Sequence, residues 1–211
     1  MLLNILPNLF SGCIETLKVF IGTLIVSLPL ALLLASIQTL GNKIFNKILD
    51  VLIYVERGTP LMLQLMFVYF GLPYLHITLD RTTAIFVAFI LNYTAYLIEV
   101  FRGGILAVDS GQFEASKALG LSYKNMFIKI ILPQALRSSI PSLTNEILNL
   151  VKDTSLMTVL GAPELLKAGR TAVNVYATAL PFIYVAIFYL LMTAVATLIM
   201  KRIETACAWY D

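Results

Sequence analysis

The residues of this chain that could do chemistry are scattered through otherwise apolar stretches, and their spacing is helical. Asn92, Tyr96 and Glu99 follow i, i+4, i+7 and make one polar stripe on a helix. Asn145, Asn149 and Lys152 repeat that spacing, with Glu146 and Asp153 beside them. Gln64 stands one turn after Pro60. Such a set supplies hydrogen-bond donors and acceptors, the chemistry of holding or passing a polar solute. It does not supply bond-making chemistry. The sequence has no plausible nucleophile–base pair, its single histidine (His76) falls in an expected outer loop, and nothing fits the phosphate-binding pattern Gly-x-x-x-x-Gly-Lys-Ser/Thr. Cys13 and Cys207 lie near opposite ends, form no metal-ligand spacing and no disulfide framework, and read as packing residues.

The surroundings of these groups give them weight. Apolar residues make up 59% of the chain and charged ones 13%, against roughly 45–50% and 25% in soluble domains. Too little polar side chain is left to coat a soluble exterior. An ionisable group at a bilayer centre costs at least ~2.5–3.5 kcal/mol on insertion scales, so such groups usually line a pathway. The competing reading is interhelical hydrogen bonding, for which Asn and Gln are common at ~0.6 kcal/mol each. Taken together, with Lys152 and Asp153 as an expected ion pair, the set favours a pathway through a wet or ligand-filled interior.

Uncharged runs cover residues 19–42, 58–79, 82–98 and 171–200. About 20 mainly apolar helical residues cross a hydrocarbon core of ~30 Å, and bare backbone polar groups cannot face lipid. A cleaved signal peptide is not expected, since residues 1–14 carry no Lys or Arg. Residues 138–160 form a less obvious fifth span, because Glu146, Lys152 and Asp153 interrupt it. Loop charges favour including it. With the N-terminus outside, Lys43, Lys47, Arg57, Arg102, Lys117, Lys124, Lys129, Arg137, Lys201 and Arg202 fall inside, and only Arg81, Lys167 and Arg170 outside. That is the positive-inside bias. The expected fold is an all-α membrane protein, a single transmembrane domain over 1–211. Its spans lie near 12–37, 54–75, 81–101, 138–160 and 178–200, with the N-terminus outside and the C-terminus cytoplasmic. No soluble domain, internal repeat or nucleic-acid-binding feature is present.

Backbone signals add detail. Gly58-Thr59-Pro60 should interrupt the second helix, because Pro lacks the N–H and Gly relaxes the backbone. Asp153-Thr154-Ser155 is expected to cap a fresh turn within the fourth span, and broken helices in transporters expose polar backbone where ligands bind. Free N–H groups near Ser155 would suit an anion. Asn92 and Ser155 stand out as inward residues with no obvious charged partner. The inner connection 102–137 is not a slack linker. Helical spacing over 112–119, Gly120 as a stop and Ser122 as a cap predict two short helices through Ile131, with the next element starting at Pro133. Their stripe Phe113, Leu119, Phe127, Ile130 lies against something, either within a solvated hairpin or at a docking surface for a cytoplasmic partner.

In Glu114-Ala115-Ser116-Lys117-Ala118-Leu119-Gly120, nine residues, Ile130, one residue and Leu132-Pro133, this connection resembles the EAA loop of ABC-importer permeases. Ser116 replaces the second alanine of the family pattern, a small-for-small change. Glu56-Arg57-Gly58-Thr59-Pro60-Leu61, Glu99 with Arg102-Gly103-Gly104-Ile105, Gly111-Gln112, Leu132-Pro133-Gln134-Ala135, Lys152-Asp153-Thr154-Ser155-Leu156 and Glu164-Leu165 resemble the polar amino acid branch, of histidine, glutamine or arginine type. The resemblance runs over roughly residues 11–205. It implies a type I importer permease in the cytoplasmic (inner) membrane of a prokaryote, surrounded by membrane lipid and translocating a polar or charged amino acid. Glu114, Ala115, Ser116 and Gly120 would couple it to a pair of ATP-binding subunits docked on residues 112–131. A second permease subunit, identical or related, and an extracytoplasmic amino-acid-binding protein would complete the assembly. ATP and Mg would sit on the ATP-binding partner, with no cofactor or metal on this chain. Pathway candidates are Gln64, Asn92, Tyr96, Glu99, Asn149, Asp153 and Ser155. Two other classes compete: an ion-coupled carrier or channel using Glu99, Glu146 and Asp153, and an intramembrane enzyme, which lacks its nucleophile–base pair. Neither has a use for the docking loop.

Overall fold

A computed structural model describes residues 2–39, 41 and 43–207. Leu40 and Asn42, the end of the first uncharged run, lie outside the described residues. Every regular element among the described residues is helical: α1 (Leu2–Thr39), α2 (Lys43–Gly58), α3 (Leu61–Met66), α4 (Arg81–Leu106), α5 (Ser110–Ala118), α6 (Tyr123–Met126), α7 (Leu132–Asp153), α8 (Leu165–Tyr176) and α9 (Leu180–Cys207).

Helix α4 is the central post. Its buried residues run from Ala84 to Ile105 on several sides, and it packs against α1, α2, α3 and α7. Asp80 caps its start, accepting from the backbone N–H of Thr82 (3.0 Å) and Thr83 (3.1 Å). The Thr83 hydroxyl and backbone hydrogen bonds hold the Asp80 carboxyl below its usual range, so the cap keeps its charge at the positive end of the helix.

What lets α1 lie close to α4 is a row of small side chains. Thr16, Thr23, Ser27, Ala31 and Ala35 are all fully buried, at multiples of about one turn. In lipid, where tails are as apolar as Leu, helices associate through such close backbone approach. Helix α1 has 38 residues, about 57 Å at 1.5 Å per residue, well beyond the hydrocarbon thickness. Its uncharged part from Val19 onward suffices to cross. Glu15 and Lys18 pair at 2.6 Å where that part begins.

Among the described residues three helices, α1, α4 and α9, are long and apolar enough to cross a membrane. A fourth candidate is the pair α2–α3, bent by 102° at the break between them. The segment 54–75 therefore straddles two directions: its first residues end α2, and the rest follow Pro60. Helix α7 carries Glu146, Lys152 and Asp153 and falls short on composition.

The next element starts near Pro133 as expected: α7 begins at Leu132 with the proline in its first turn, but no break precedes it. Helix α6 widens into a π turn over Phe127–Ile131 and runs straight into α7. The proline ring collides with the carbonyl four residues back and supplies no N–H, so the helix relaxes by one residue per turn. The Gln134 amide nitrogen donates to the Ile130 carbonyl at 2.8 Å. The expected cap at Asp153 is also absent. Asp153 has helical dihedrals and makes no side-chain cap, and the chain tightens into a 3-10 turn over Thr154–Leu160. No free helix start faces Ser155, because the backbone there is already helical.

Helices α4 and α7 touch at Gly104. A Cβ at this position would lie 2.0 Å from Ser139 Oγ and 2.4 Å from the Ala135 carbonyl oxygen, whereas at Gly103 nothing stands within 4 Å. Gly104→Ala should destabilise the detergent-solubilised protein by about 1–3 kcal/mol through overpacking, while Gly103→Ala stays near wild type. Equal thermal midpoints for the two variants would refute this helix contact.

Candidate functional site: an interrupted helix and the polar groups around it

The break between α2 and α3 is built from three residues. Helix α2 ends at Gly58, Thr59 intervenes, and Pro60 is extended (φ −62°, ψ 135°) before α3 starts. Ending a helix leaves carbonyls without intrahelical donors. Two amides supply them here. Gln64 donates from Nε2 to the Glu56 carbonyl (2.8 Å), the Thr59 carbonyl (3.2 Å) and Thr59 Oγ1 (2.8 Å). Asn92 of α4 donates from Nδ2 to the same Glu56 carbonyl (3.2 Å) and to Gln64 Oε1 (3.0 Å). Asn92 is 4% exposed.

One and two turns further along α4, Tyr96 and Glu99 meet the same end of α2. The Arg57 guanidinium lies 5.3 Å from the Tyr96 ring centroid, a cation–π contact. Glu99 accepts from Arg102 in bidentate fashion (Nε to Oε1 3.0 Å, Nη2 to Oε2 2.6 Å) and pairs with Arg57 at 3.4 Å. Asn92, Tyr96 and Glu99 thus share one face, as their spacing implied, and that face is occupied by the end of α2.

The polar residues of α7 divide. Asp153 turns inward and accepts from the Tyr93 hydroxyl at 2.7 Å. The expected Lys152–Asp153 pair is not formed: among the described residues the ion pairs are Lys18–Glu15, Arg57–Glu99 and Arg102–Glu99. Adjacent helical residues point about 100° apart, so Lys152 stays exposed while Asp153 reaches α4. Ser155 is half-buried. Ser138, Ser142, Asn145, Asn149 and Lys152 form a continuous exposed stripe. Sequence reading missed Tyr93, Arg57 and Arg102 as partners. The i, i+3 spacing of Glu99 and Arg102 was the available signal for one of them.

Beyond α4, residues 110–131 fold as the expected hairpin. Asp109 caps α5 through the Gly111 N–H (2.6 Å) and Ser122 caps α6. Gly120 has φ +71°. Its N–H bonds to the Lys117 carbonyl (2.9 Å) and that of Leu121 to the Ser116 carbonyl (3.1 Å), a Schellman closure that favours glycine. Phe113, Phe127 and Ile130 pack onto Ile105, Val108, Met126, Ile131 and Ala135. Leu119 does not join them and stays 77% exposed. Glu114, Ala115 and Gly120 are exposed, but Ser116 is buried, its hydroxyl donating to the Gln112 carbonyl at 2.6 Å.

Residues 27–207 match the family described as "Binding-protein-dependent transport system inner membrane component". The chain belongs to that family. It is 36% identical over 201 residues to the arginine transport system permease protein ArtQ of Bacillus subtilis (strain 168), covering 94% of this chain and 92% of that one. It is 38% identical over 202 residues to the glutamine transport system permease protein GlnP of Escherichia coli (strain K12), with the same coverage. Its fold superposes with a TM-score of 0.89 on a crystal structure of an amino acid ABC transporter with histidines, at 30% identity over 97% of this chain and 96% of that chain. A chain of the inward-facing MetNI methionine ABC transporter shares the fold at a TM-score of 0.74 and 19% identity. As such an inner membrane component, the chain is a permease subunit with a type I ABC permease fold. It is not an enzyme, since ATP hydrolysis in these transporters belongs to separate subunits, and the ion-coupled carrier is disfavoured.

The amide cluster makes a prediction. Gln64→Ala removes a donor to two carbonyls and should cost about 1–3 kcal/mol, the cost of unsatisfied buried groups. Asn92→Ala should cost less, because Gln64 still serves Glu56. Thermal unfolding in detergent checks both, and an unshifted midpoint for Gln64→Ala contradicts the assignment.

Proposed function

We propose that this chain is the transmembrane subunit of an importer for a polar or charged amino acid in a prokaryotic cytoplasmic membrane. It would have five spans, the N-terminus outside and the C-terminus inside. The bent pair α2–α3 would supply one span, and α7 with its 3-10 extension another. The observation that carries the reading is the 110–131 hairpin. It lies at the inner end of α4, carries the family's loop pattern, and leaves Leu119, Leu121, Tyr123 and Ile128 exposed. Apolar side chains gathered outside the spans need a partner, and an ATP-binding subunit is the partner this family uses. The arginine and glutamine relatives support an amino acid as cargo.

Within the chain, Gln64, Asn92, Tyr96 and Glu99 hold the broken helix in position, with Gly58, Thr59 and Pro60 as its corner. The exposed α7 stripe is the better candidate for the pathway. Five polar side chains on a spanning helix do not face lipid; they would face a passage shared with a second permease subunit. Asn149 sits on that stripe between Asn145 and Lys152. Asp153, held by the Tyr93 hydroxyl, and half-buried Ser155 lie off the stripe and would border it.

Two outcomes test these assignments. Leu119→Asp touches no packed neighbour, so it should leave the thermal midpoint unchanged. It should nonetheless lower ATP-dependent uptake about tenfold, the loss of one good interface contact. Gly120→Trp should uncouple similarly while leaving the chain inserted. Normal uptake by both variants rejects the docking surface. Asn149→Ala should raise the substrate concentration for half-maximal uptake about tenfold at unchanged stability; an unchanged value removes Asn149 from the pathway.

A further inference from the structure

Helix α2 has three sides. Leu49 and Ile53 turn inward and pack with Ala31 and Ala35 of α1 and with Ile98 and Phe101 of α4. Ile44, Ile48, Val51 and Val55 follow i, i+4, i+7, i+11 and make a second, apolar side, each residue more than half exposed. Lys43, Lys47 and Tyr54, at i, i+4, i+11, make an exposed edge beside it.

What these open sides meet follows from how α2 lies. Near its start it is tied to the last turn of α1: Asn46 donates from Nδ2 to the Gln38 carbonyl at 2.9 Å, and Gln38 donates from Nε2 to Asp50 at 2.8 Å. Its end is tied to α4, where Arg57 pairs with Glu99 at 3.4 Å. Gln38 stands near the end of the uncharged run 19–42, and Glu99 directly follows the uncharged run 82–98. Both ties therefore sit where the apolar part of a neighbouring span stops, on the side that the positive-inside bias assigns to the cytoplasm. A helix of 16 residues, about 24 Å long, that is held at both ends to one boundary runs along it. The 102° bend then turns α3 out of that line.

An amphipathic helix so placed, apolar on one side and lysine-bearing at the edge, has the pattern of a helix lying in the membrane interface. Lys43 and Lys47 border the same shallow groove as Ile44, Ile48 and Val51, and no carboxylate lines it. Asp50 and Arg57, farther round the helix, are engaged by Gln38 and Glu99. The two lysines have no ion-pair partner among the described residues. Their long stems can follow the apolar groove while the ammonium groups reach the headgroup level, where tyrosines such as Tyr54 also sit.

We propose that this face of α2 lies in the inner leaflet and holds an anionic phospholipid. An acyl chain runs along Ile44, Ile48 and Val51, and the phosphodiester meets Lys43 and Lys47. The proposal rests on the importer reading with the N-terminus outside. Within the bent pair, it gives the crossing to the residues after the break and the membrane surface to α2.

The test uses the transporter purified with its ATP-binding subunits and titrated with phosphatidylglycerol in native mass spectrometry. Lys43→Gln with Lys47→Gln should weaken binding about 25-fold, at roughly fivefold per lysine at an anionic surface. Lys43→Arg with Lys47→Arg should retain it, and phosphatidylcholine should not distinguish the variants. Equal phosphatidylglycerol affinity in the wild type and the glutamine variant overturns the proposal. A second measurement places the helix. In liposomes containing phosphatidylglycerol, a nitroxide on Val51→Cys, with Cys13→Ala and Cys207→Ala, should collide with oxygen, which concentrates in lipid, and not with a water-soluble nickel chelate. Access to the chelate would put this side in water, and shielding from both would put a protein partner over it; either result overturns the proposal. Failure of the wild-type chain to bring ATP-binding subunits through purification contradicts the importer reading instead.

Discussion

Interrupting a helix leaves carbonyls without intrahelical donors, and in a membrane protein, where lipid offers none, the chain itself must supply them. That constraint shapes the centre of this molecule. Pro60 and Gly58 break the α2–α3 pair by 102°, and the Gln64 and Asn92 amides satisfy the Glu56 and Thr59 carbonyls. Asn92 lies on α4, so α4 must stand beside the break. Helix α4 can take that place because α1 offers it small residues and α7 meets it at Gly104. The ion pairs of Glu99 with Arg57 and Arg102 then anchor the end of α2 from the same face of α4. Polar groups here do not decorate an apolar bundle; they hold the sharp bend between α2 and α3.

This arrangement explains why the polar stripes have different fates. The α4 stripe is taken up by α2 and works inside the chain. The α7 stripe stays exposed among the described residues, and the proposed passage is the use it would have. The hairpin tip is similarly unfinished. Phe113, Phe127 and Ile130 anchor it, and Leu119 projects from it without a packed neighbour.

Much of this was legible in residue spacing. The helical period placed Asn92, Tyr96 and Glu99 on one face, Gly58-Thr59-Pro60 marked the break, and glycine at position 120 marked a turn that needs positive φ. What spacing cannot show is which partner waits on that face. Asn92 read as a free inward amide, yet a carbonyl 36 residues earlier claims it. Lys152 and Asp153 read as a pair because they are adjacent, although adjacency on a helix sends side chains apart. Asp153-Thr154-Ser155 read as a cap, but its residues keep helical dihedrals as the chain tightens rather than breaks. Pro133 did mark the start of α7, but spacing gave no sign that a π turn would lead into it without a break. Ser116 carried the loop pattern without announcing that its side chain points inward.

The central claim is that this chain forms the membrane pathway of an ATP-driven amino acid importer. Proteoliposomes containing the chain with its ATP-binding subunits, supplied with the binding protein, test it most directly by uptake of labelled arginine and glutamine. The account predicts uptake of at least one of them that requires internal ATP and external binding protein together. Uptake driven by a proton or sodium gradient, without ATP and without the binding protein, would contradict it.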